Sequence, residues 1–365
     1  MDRDPLQGLE DDLAAQAEFA FPRAPACARL LGALGDAIDG SVRERLRDAW
    51  AARRFGAWYE RPVLLLTAVR DDALREGPTH PLWPALRVPD PEPGSATSTA
   101  VKAALGPDRR YLWDSLANRH VQTNDPTRAI AWIWPAALGA AHEPRRPIVL
   151  YEVGSSAGLN LVADRLPAVW TRSDDGPLTL DPLPPIAART GFDLRPIDAL
   201  DEEGARWLRA SIWPGQSERG ERLEAAIAAF RALADAGAAP PIERSSAAAI
   251  PARLPVLDDS GPRAIAFQAI VRDYLSEVEL RRYETGMRRW LGACAPGAAV
   301  WMELEVTDDA RYGAPPVALI AHTSDGDQIR TRLLAHADPH PVAMAVDDDA
   351  VTALQFALRG RAREP

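Results

Sequence analysis

The sequence predicts an α/β protein: a mostly parallel sheet of about seven strands behind a helical N-terminal domain. Three observations predict it. Residues 148–153 form a short apolar run rich in β-formers, followed by small residues and then by apolar residues at helical spacing. Strand-like and helix-like patterns alternate from residue 147 onward. Before that point the apolar residues recur at helical spacing and are punctuated by proline. The expected boundaries are 1–146 for the helical domain and 147–365 for the α/β domain, with a helical insertion at 182–216.

Composition narrows the function classes. The 365 residues are enough for about two domains with a sizeable core. A net charge of -10 argues against a bare nucleic-acid binder. Cys27 and Cys294, the two cysteines, lie far apart and offer neither zinc spacing nor a disulfide framework, which fits a reducing cytosol. No window reads as a membrane span and the N-terminus shows no signal-peptide pattern, so a cytoplasmic protein with no membrane partner is expected. A small-molecule substrate is the expected partner, and the oligomeric state stays open.

Helices are expected over 9–21, 26–38, 41–54 and 62–70. Ser41 and Glu44 read as a capping box, and Pro62 sits in a first turn. Residues 76–97 are a Pro-rich loop, and 100–119 hold one or two helices broken at Gly106-Pro107. Asp125-Pro126 starts the very apolar helix over 129–141. The polar cluster Gln122, Asn124 and Arg128 ahead of the central strand either caps this helix or faces a ligand cleft, where Arg128 would meet a carboxylate.

The central strand, 147–153, leads into a helix to about 165. A second strand is expected over 177–181, closed by Asp181. Helices over 202–212 and 217–236 follow, then strands over 241–246, 264–271 and 298–306. Ser276 and Glu279 form a second capping box for a helix to about 293. Strands over 317–322 and 341–346 flank a short helix over 328–335.

The pattern Glu152-x-Gly154-x-Ser156-x-Gly158 sits at the end of the central strand. A strand feeding a helix through small residues gathers bare N–H groups and the positive end of a helix dipole, a setting suited to a nucleotide-like ligand. This pattern resembles the first motif of class I S-adenosylmethionine-dependent methyltransferases, with Ser156 in place of a central glycine. It resembles less well the dinucleotide fingerprint G-x-G-x-x-G, whose last glycine would fall on Leu159.

Four blocks together are similar to the bacterial family known as DUF2332. They are Gln122-Thr-Asn-Asp-Pro-Thr-Arg128, the stretch from Tyr151 to Arg165, Arg189-x-Gly-x-Asp-Leu-x-Pro-x-Asp198, and the stretch from Trp207 to Arg219. That resemblance supplies a grouping and not a reaction. The methyltransferase resemblance implies a Rossmann-like sheet and S-adenosylmethionine as cofactor. It implies that Gly154, Ser155, Ser156 and Gly158 cradle the cofactor, that Glu152 orients it, that Asn160 contacts it, that Gln268 contacts it near the transferred methyl group, and that Asp181 holds its ribose. Arg272, Asp273 and Tyr274, past the strand over 264–271, would face the transferred methyl group, with Asp273 or Tyr274 orienting a substrate proton.

Two other readings stand beside this one. Gly154-Ser-Ser156-Ala-Gly158 also matches the Gly-x-Ser-x-Gly turn of serine hydrolases, with Ser156 as nucleophile and His322, His336 or His340 as base. A protein that kept the fold and lost the chemistry would bind a ligand without turnover. His336-x-x-x-His340 is the close histidine pair, but its Asp338-Pro339 interior argues against a helical zinc site, and no metal is expected.

Overall fold

A computed structural model describes residues 4–87, 90–307 and 316–359. The chain divides into two compact units: one runs to Thr123 and takes in Asp198–Glu224, the other comprises Asn124–Ile197 and the chain from Ala225.

The first unit opens with α1 (Leu9–Ala20), α2 (Pro25–Asp36), α3 (Gly40–Trp50) and α4 (Glu60–Glu76). Pro25 occupies the first turn of α2, where its missing N–H costs nothing. Asp39, not Ser41, caps α3: its carboxylate accepts from the backbone of Ser41 and Val42. The expected Ser41/Glu44 box gives way because the stronger acceptor lies two residues earlier. Nearly every residue of α4 from Pro62 to Ala73 is buried, which makes it the unit's central helix. α5 (Trp83–Leu86), α6 (Ser98–Ala104) and α7 (Arg110–Asn118) follow, the last two separated at Gly106-Pro107 as the sequence predicts. The chain returns to this unit with α9 (Glu202–Ala210) and the first residues of α10 (Ser217–Asp235). Buried Asp71 of α4 ties α7 and α9 to it, accepting from Tyr111 Oη at 2.6 Å and Arg206 Nε at 2.9 Å.

The second unit is built on α8 (Ile130–Ala140), buried along its whole length, and a sheet. Its strands are β1 (Ile148–Val153), β2 (Thr171–Arg172), β3 (Ile186–Asp193), β4 (Ile242–Arg244), β5 (Arg263–Ala269), β6 (Ala299–Val306), β7 (Val317–Ser324), β8 (Ile329–Ala337) and β9 (Ala343–Val346). The order is β2-β9-β8-β7-β6-β5-β1-β3-β4. From β4 through β6 all neighbours are parallel, and β6, β7, β8 and β9 then meander antiparallel. The sheet is therefore mixed and mostly parallel, as expected. It has nine strands among the described residues, where about seven were expected.

Three elements differ from the sequence reading. Residues 177–181 are irregular, and the strand beside β1 is β3, within the stretch read as a helical insertion. All but the first residue of 328–335, read as a helix, lie in β8. A tight turn held by Asp325, which accepts from Asp327 and Gln328, folds the chain back onto β7, and the ladder of inter-strand bonds overrides local helical spacing. The run after β1 is a 3₁₀ stretch, Leu159–Arg165, rather than an α-helix.

Alternation sorts the side chains onto two faces. Ile148 and Leu150 of β1, Ile265 and Phe267 of β5, and Val300 and Met302 of β6 pack in a core with α8 and with α12 (Asp348–Ala357). Val149, Val153, Ala264, Ala266 and Trp301 pack on the other face with Tyr283, Met287 and Trp290 of α11 (Glu277–Ala293). Ser276 and Glu279 cap α11 reciprocally, as predicted. Among the described residues no helix is long and apolar enough to cross a membrane.

Candidate functional site

In a sheet of this kind ligands gather at the carboxyl ends of the parallel strands, where the strand order reverses direction. Here that point lies between β1, flanked by β3, and β5. Glu152 is the fifth residue of β1 and, by parity with Ile148 and Leu150, projects on the α8 face. It is 1% exposed. Asn160 Nδ2 donates to its Oε1 at 2.7 Å, while Oε2 has no hydrogen-bond partner. Burial, helped by the nearby Asp193, pushes the Glu152 carboxyl up to about 8 against the opposing pull of Asn160 and Arg128. At neutral pH it is mostly protonated.

The turn after β1 is fixed from several sides. Gly154, Ser156 and Gly158 all have positive φ, 71°, 53° and 72°. Asn124 Nδ2 donates to the Ser155 carbonyl at 3.2 Å, and its Oδ1 accepts from Leu159 N at 2.9 Å. Asp193, at the carboxyl end of β3, accepts from Ser156 N at 2.8 Å and Arg195 N at 2.7 Å. Trp132 Nε1 of α8 donates to the Asn160 carbonyl at 2.8 Å. The buried Ser155 Oγ, Ser156 Oγ and Asn160 Oδ1 have no hydrogen-bond partner among the described residues. Buried polar atoms are seldom left so, and four of them, counting Glu152 Oε2, belong to the one stretch 152–160.

Together these side chains offer both hydrogen-bond donors and acceptors. The glycines do not form the expected bare cradle. A Cβ on Gly154 would lie 2.5 Å from Val271 Cγ2, and one on Gly158 would lie 2.4 Å from Ile242 Cδ1. The chain's own side chains fill those directions. Nor does an α-helix begin at the turn to add its dipole.

The remaining predicted residues fall in different places. Asp181 is exposed in an irregular segment, and the strand-end acid beside β1 is Asp193. The sequence reading placed the second strand one segment too early, because 177–181 alternates like a strand but finds no partner. Arg128 is buried and donates through Nε to the Pro339 carbonyl at 3.1 Å, while its neighbour Asp125 caps Thr127 and meets His340 Nδ1 at 3.0 Å. Gln122 belongs to the helical unit.

Gln268 follows the parity of Ala264 and Ala266 and so lies on the α11 face, opposite to Glu152. There it is fully buried in a polar network. Its Nε2 donates to Glu305 Oε1 at 2.8 Å, and its Oε1 accepts from Tyr283 Oη and from Trp301 Nε1. Glu305 also accepts from the backbone of Val271 and Arg272, and burial pushes its carboxyl up to about 7. Buried Glu303 pairs with Arg272 at 2.7 Å and with His322 Nε2 at 3.2 Å; Arg272 also pairs with Glu284. His322 stacks on Trp301 and shares a hydrogen bond with Thr331. Arg272 is thus anchored, while Tyr274 is exposed and Asp273 half-buried beside it. Sequence reading missed Glu303, Glu305 and Tyr283. The signal was present in Trp301-x-Glu303-x-Glu305, three polar-capable residues at period two inside an apolar strand.

Asp72, Glu76 and His80 also come within metal-ligand reach of one another. Arg109 already bridges both carboxylates, and His80 Nδ1 accepts from Leu82 N, which leaves Nε2 carrying the proton that faces Asp72. The arrangement is an ion network.

A family model described as "Uncharacterized protein conserved in bacteria (DUF2332)" matches residues 10–345. No curated protein and no solved structure matches the chain.

Proposed function

The chain belongs to the DUF2332 family, and on that premise we propose that it is an S-adenosylmethionine-dependent methyltransferase acting on a small molecule. The observation that carries this reading is that Glu152 Oε2, Ser156 Oγ and Asn160 Oδ1, on one stretch at the carboxyl end of β1, are buried and have no hydrogen-bond partner among the described residues. The order β4-β3-β1-β5-β6 supports it, because it is that of a Rossmann-like sheet with its switch point beside that strand.

Bound there, the cofactor supplies an electrophilic methyl group; the protein's contribution is binding and orientation. Glu152, Ser156 and Asn160 hold the cofactor by side chains rather than through bare glycine backbone. Asp193 takes the ribose position first assigned to Asp181. Asn124 serves by holding the turn. Asp273 and Tyr274, just beyond β5, orient the substrate proton, and Arg272 positions that segment through Glu303 and Glu284. Gln268 braces β5 against β6 from the opposite face.

Calorimetric titration with S-adenosylmethionine and S-adenosylhomocysteine tests this. Micromolar binding is expected, weakened at least about tenfold in Asn160→Ala. No binding at millimolar ligand overturns the reading.

One observation favours a second reading. Ser156 sits at φ 53° between two closely packed glycines, the backbone setting of a hydrolase nucleophile elbow. The Asp125–His340 pair of the same unit would then be its acid and base. Labelling by a serine-directed phosphonate, lost in Ser156→Ala, would establish it. Ligand binding without methyl transfer or labelling would mark a non-catalytic protein.

A further inference from the structure

The chain between β4 and β5 packs along α11 and leaves a groove beside it. A 3₁₀ stretch, Ala247–Arg253, comes first. Gly286 lets it approach the helix closely: a Cβ there would lie 2.8 Å from Pro251 Cβ. Trp290 Nε1 then donates to the Pro255 carbonyl at 2.8 Å, and Ala295 N donates to the Leu257 carbonyl at 2.9 Å, which pins the far wall. The groove holds about 810 Å³, lined by Pro251, Leu254, Val256, Val278 and Trp290 among others. Val256 is 63% exposed and Val278 51%, so the apolar lining opens to water. Arg282 and Arg289 line the same groove, both exposed. They stand seven residues apart on α11, on one stripe and about 10.5 Å apart along the axis. Neither forms an ion pair among the described residues, whereas Arg281 beside them is paired with Glu277.

The chain itself carries the complement. On the outer face of α1, Asp11 and Glu18 are exposed, also seven residues apart, and in no ion pair among the described residues. Their neighbours Glu10 and Asp12 are taken by Arg43 and Arg61. Exposed Ala14 and Ala15 lie between the two acids on this face and are small enough for the helix axis to come close. Phe21, at the edge of the face, is 62% exposed. We propose that the outer face of α1 of one copy of the chain docks in the α11 groove of a second copy. Asp11 and Glu18 meet Arg282 and Arg289, while the alanines and Phe21 cover the groove's valines. Equal spacing on the two helices lets both ion pairs form at once; a ligand with a single anionic head would meet one arginine and leave the other. The contact is heterologous, because the docking face and the groove are different surfaces.

The test is sedimentation velocity of the full chain at about 0.15 M salt. The Debye length there is about 8 Å, so the like net charges of two copies are screened while pairs in contact are not. The weight-average mass should rise above that of one chain between about 1 and about 500 µM, the range for an interface smaller than that of a permanent dimer. Reversing either surface makes the contact like-charged. Arg282→Glu with Arg289→Glu, or Asp11→Arg with Glu18→Arg, should each weaken self-association at least about tenfold. All four side chains are exposed, so both double variants should melt as the parent does. Mixing the two double variants should restore association, because the native face of each then meets the native or reversed surface that complements it. A chain that stays monomeric throughout, its groove left to an acidic segment of another protein, overturns the proposal. So does association that survives both double variants, or a mixture that fails to reassociate. No arm of the test depends on S-adenosylmethionine binding.

Discussion

Asn160 donates its side-chain amide to Glu152 Oε1 at 2.7 Å, and both side chains are buried at the end of the central strand. With the more distant pull of Arg128, this bond opposes the burial that pushes the Glu152 carboxyl up to about 8 from its ordinary 4.5. Below pH 4.5 the folded and unfolded chains both hold the proton and nothing is lost. Between 4.5 and 8 the folded chain keeps a proton that the unfolded chain has released, so stability falls as pH rises, by up to about 1.4 kcal/mol per unit. Glu152→Gln keeps an acceptor for Asn160 and removes the titration. Urea midpoints at pH 5, 6.5 and 8 should show the variant gaining steadily on the parent; parallel curves would refute the buried neutral carboxyl.

A Cβ added to Gly158 would lie 2.4 Å from Ile242 Cδ1, closer than side chains tolerate. Gly158→Ala should cost about 2–3 kcal/mol, from the left-handed backbone and the collision together. Ile242→Val removes the colliding atom. In that background the cost of Gly158→Ala should drop by about 1 kcal/mol, leaving the backbone part. Chemical denaturation of the four proteins measures the coupling. Strict additivity would mean that the glycine is needed for something other than packing against β4.

Gln268 is the hub of a buried network on the α11 face. Gln268→Leu leaves the Tyr283 hydroxyl, the Trp301 N–H and the Glu305 carboxyl each short of a partner, at a cost of about 3 kcal/mol. The same variant should titrate with S-adenosylmethionine as the parent does, because Glu152 projects from the other side of the sheet. A large loss of cofactor affinity at unchanged stability would return Gln268 to the ligand site.

The two serines that read alike in the sequence should behave differently. Ser276→Ala removes a reciprocal cap from α11 and should cost about 1 kcal/mol. Ser41→Ala should change stability by no more than about 0.5 kcal/mol, since Asp39 supplies the cap of α3. Equal losses in thermal melts would show that Ser41 does more than orient Asp39.

What the sequence determined by itself was whatever a few neighbouring residues can decide. The apolar run at β1, the glycine-bearing turn after it, the Ser276/Glu279 cap, Asp125-Pro126 as a helix start and the break at Gly106-Pro107 all rest on local backbone preference, and all were legible. So was the α/β class, from the alternation of two periods. Tertiary structure alone decided which segment pairs with β1. Residues 177–181 carry the local strand pattern and 186–193 fall in the stretch read as a helical insertion, yet hydrogen bonding to β1 selects the second, which puts Asp193 and not Asp181 beside the Ser156 turn. It decided that 329–337 is a strand, because β7 offers a ladder that outweighs helical spacing. It also decided the separation of Glu152 from Gln268: in register, Gln268 stands opposite Val153, one residue beyond Glu152, and one step along a strand reverses the face. Register is set by pairing between distant segments. No local pattern of residues contains it.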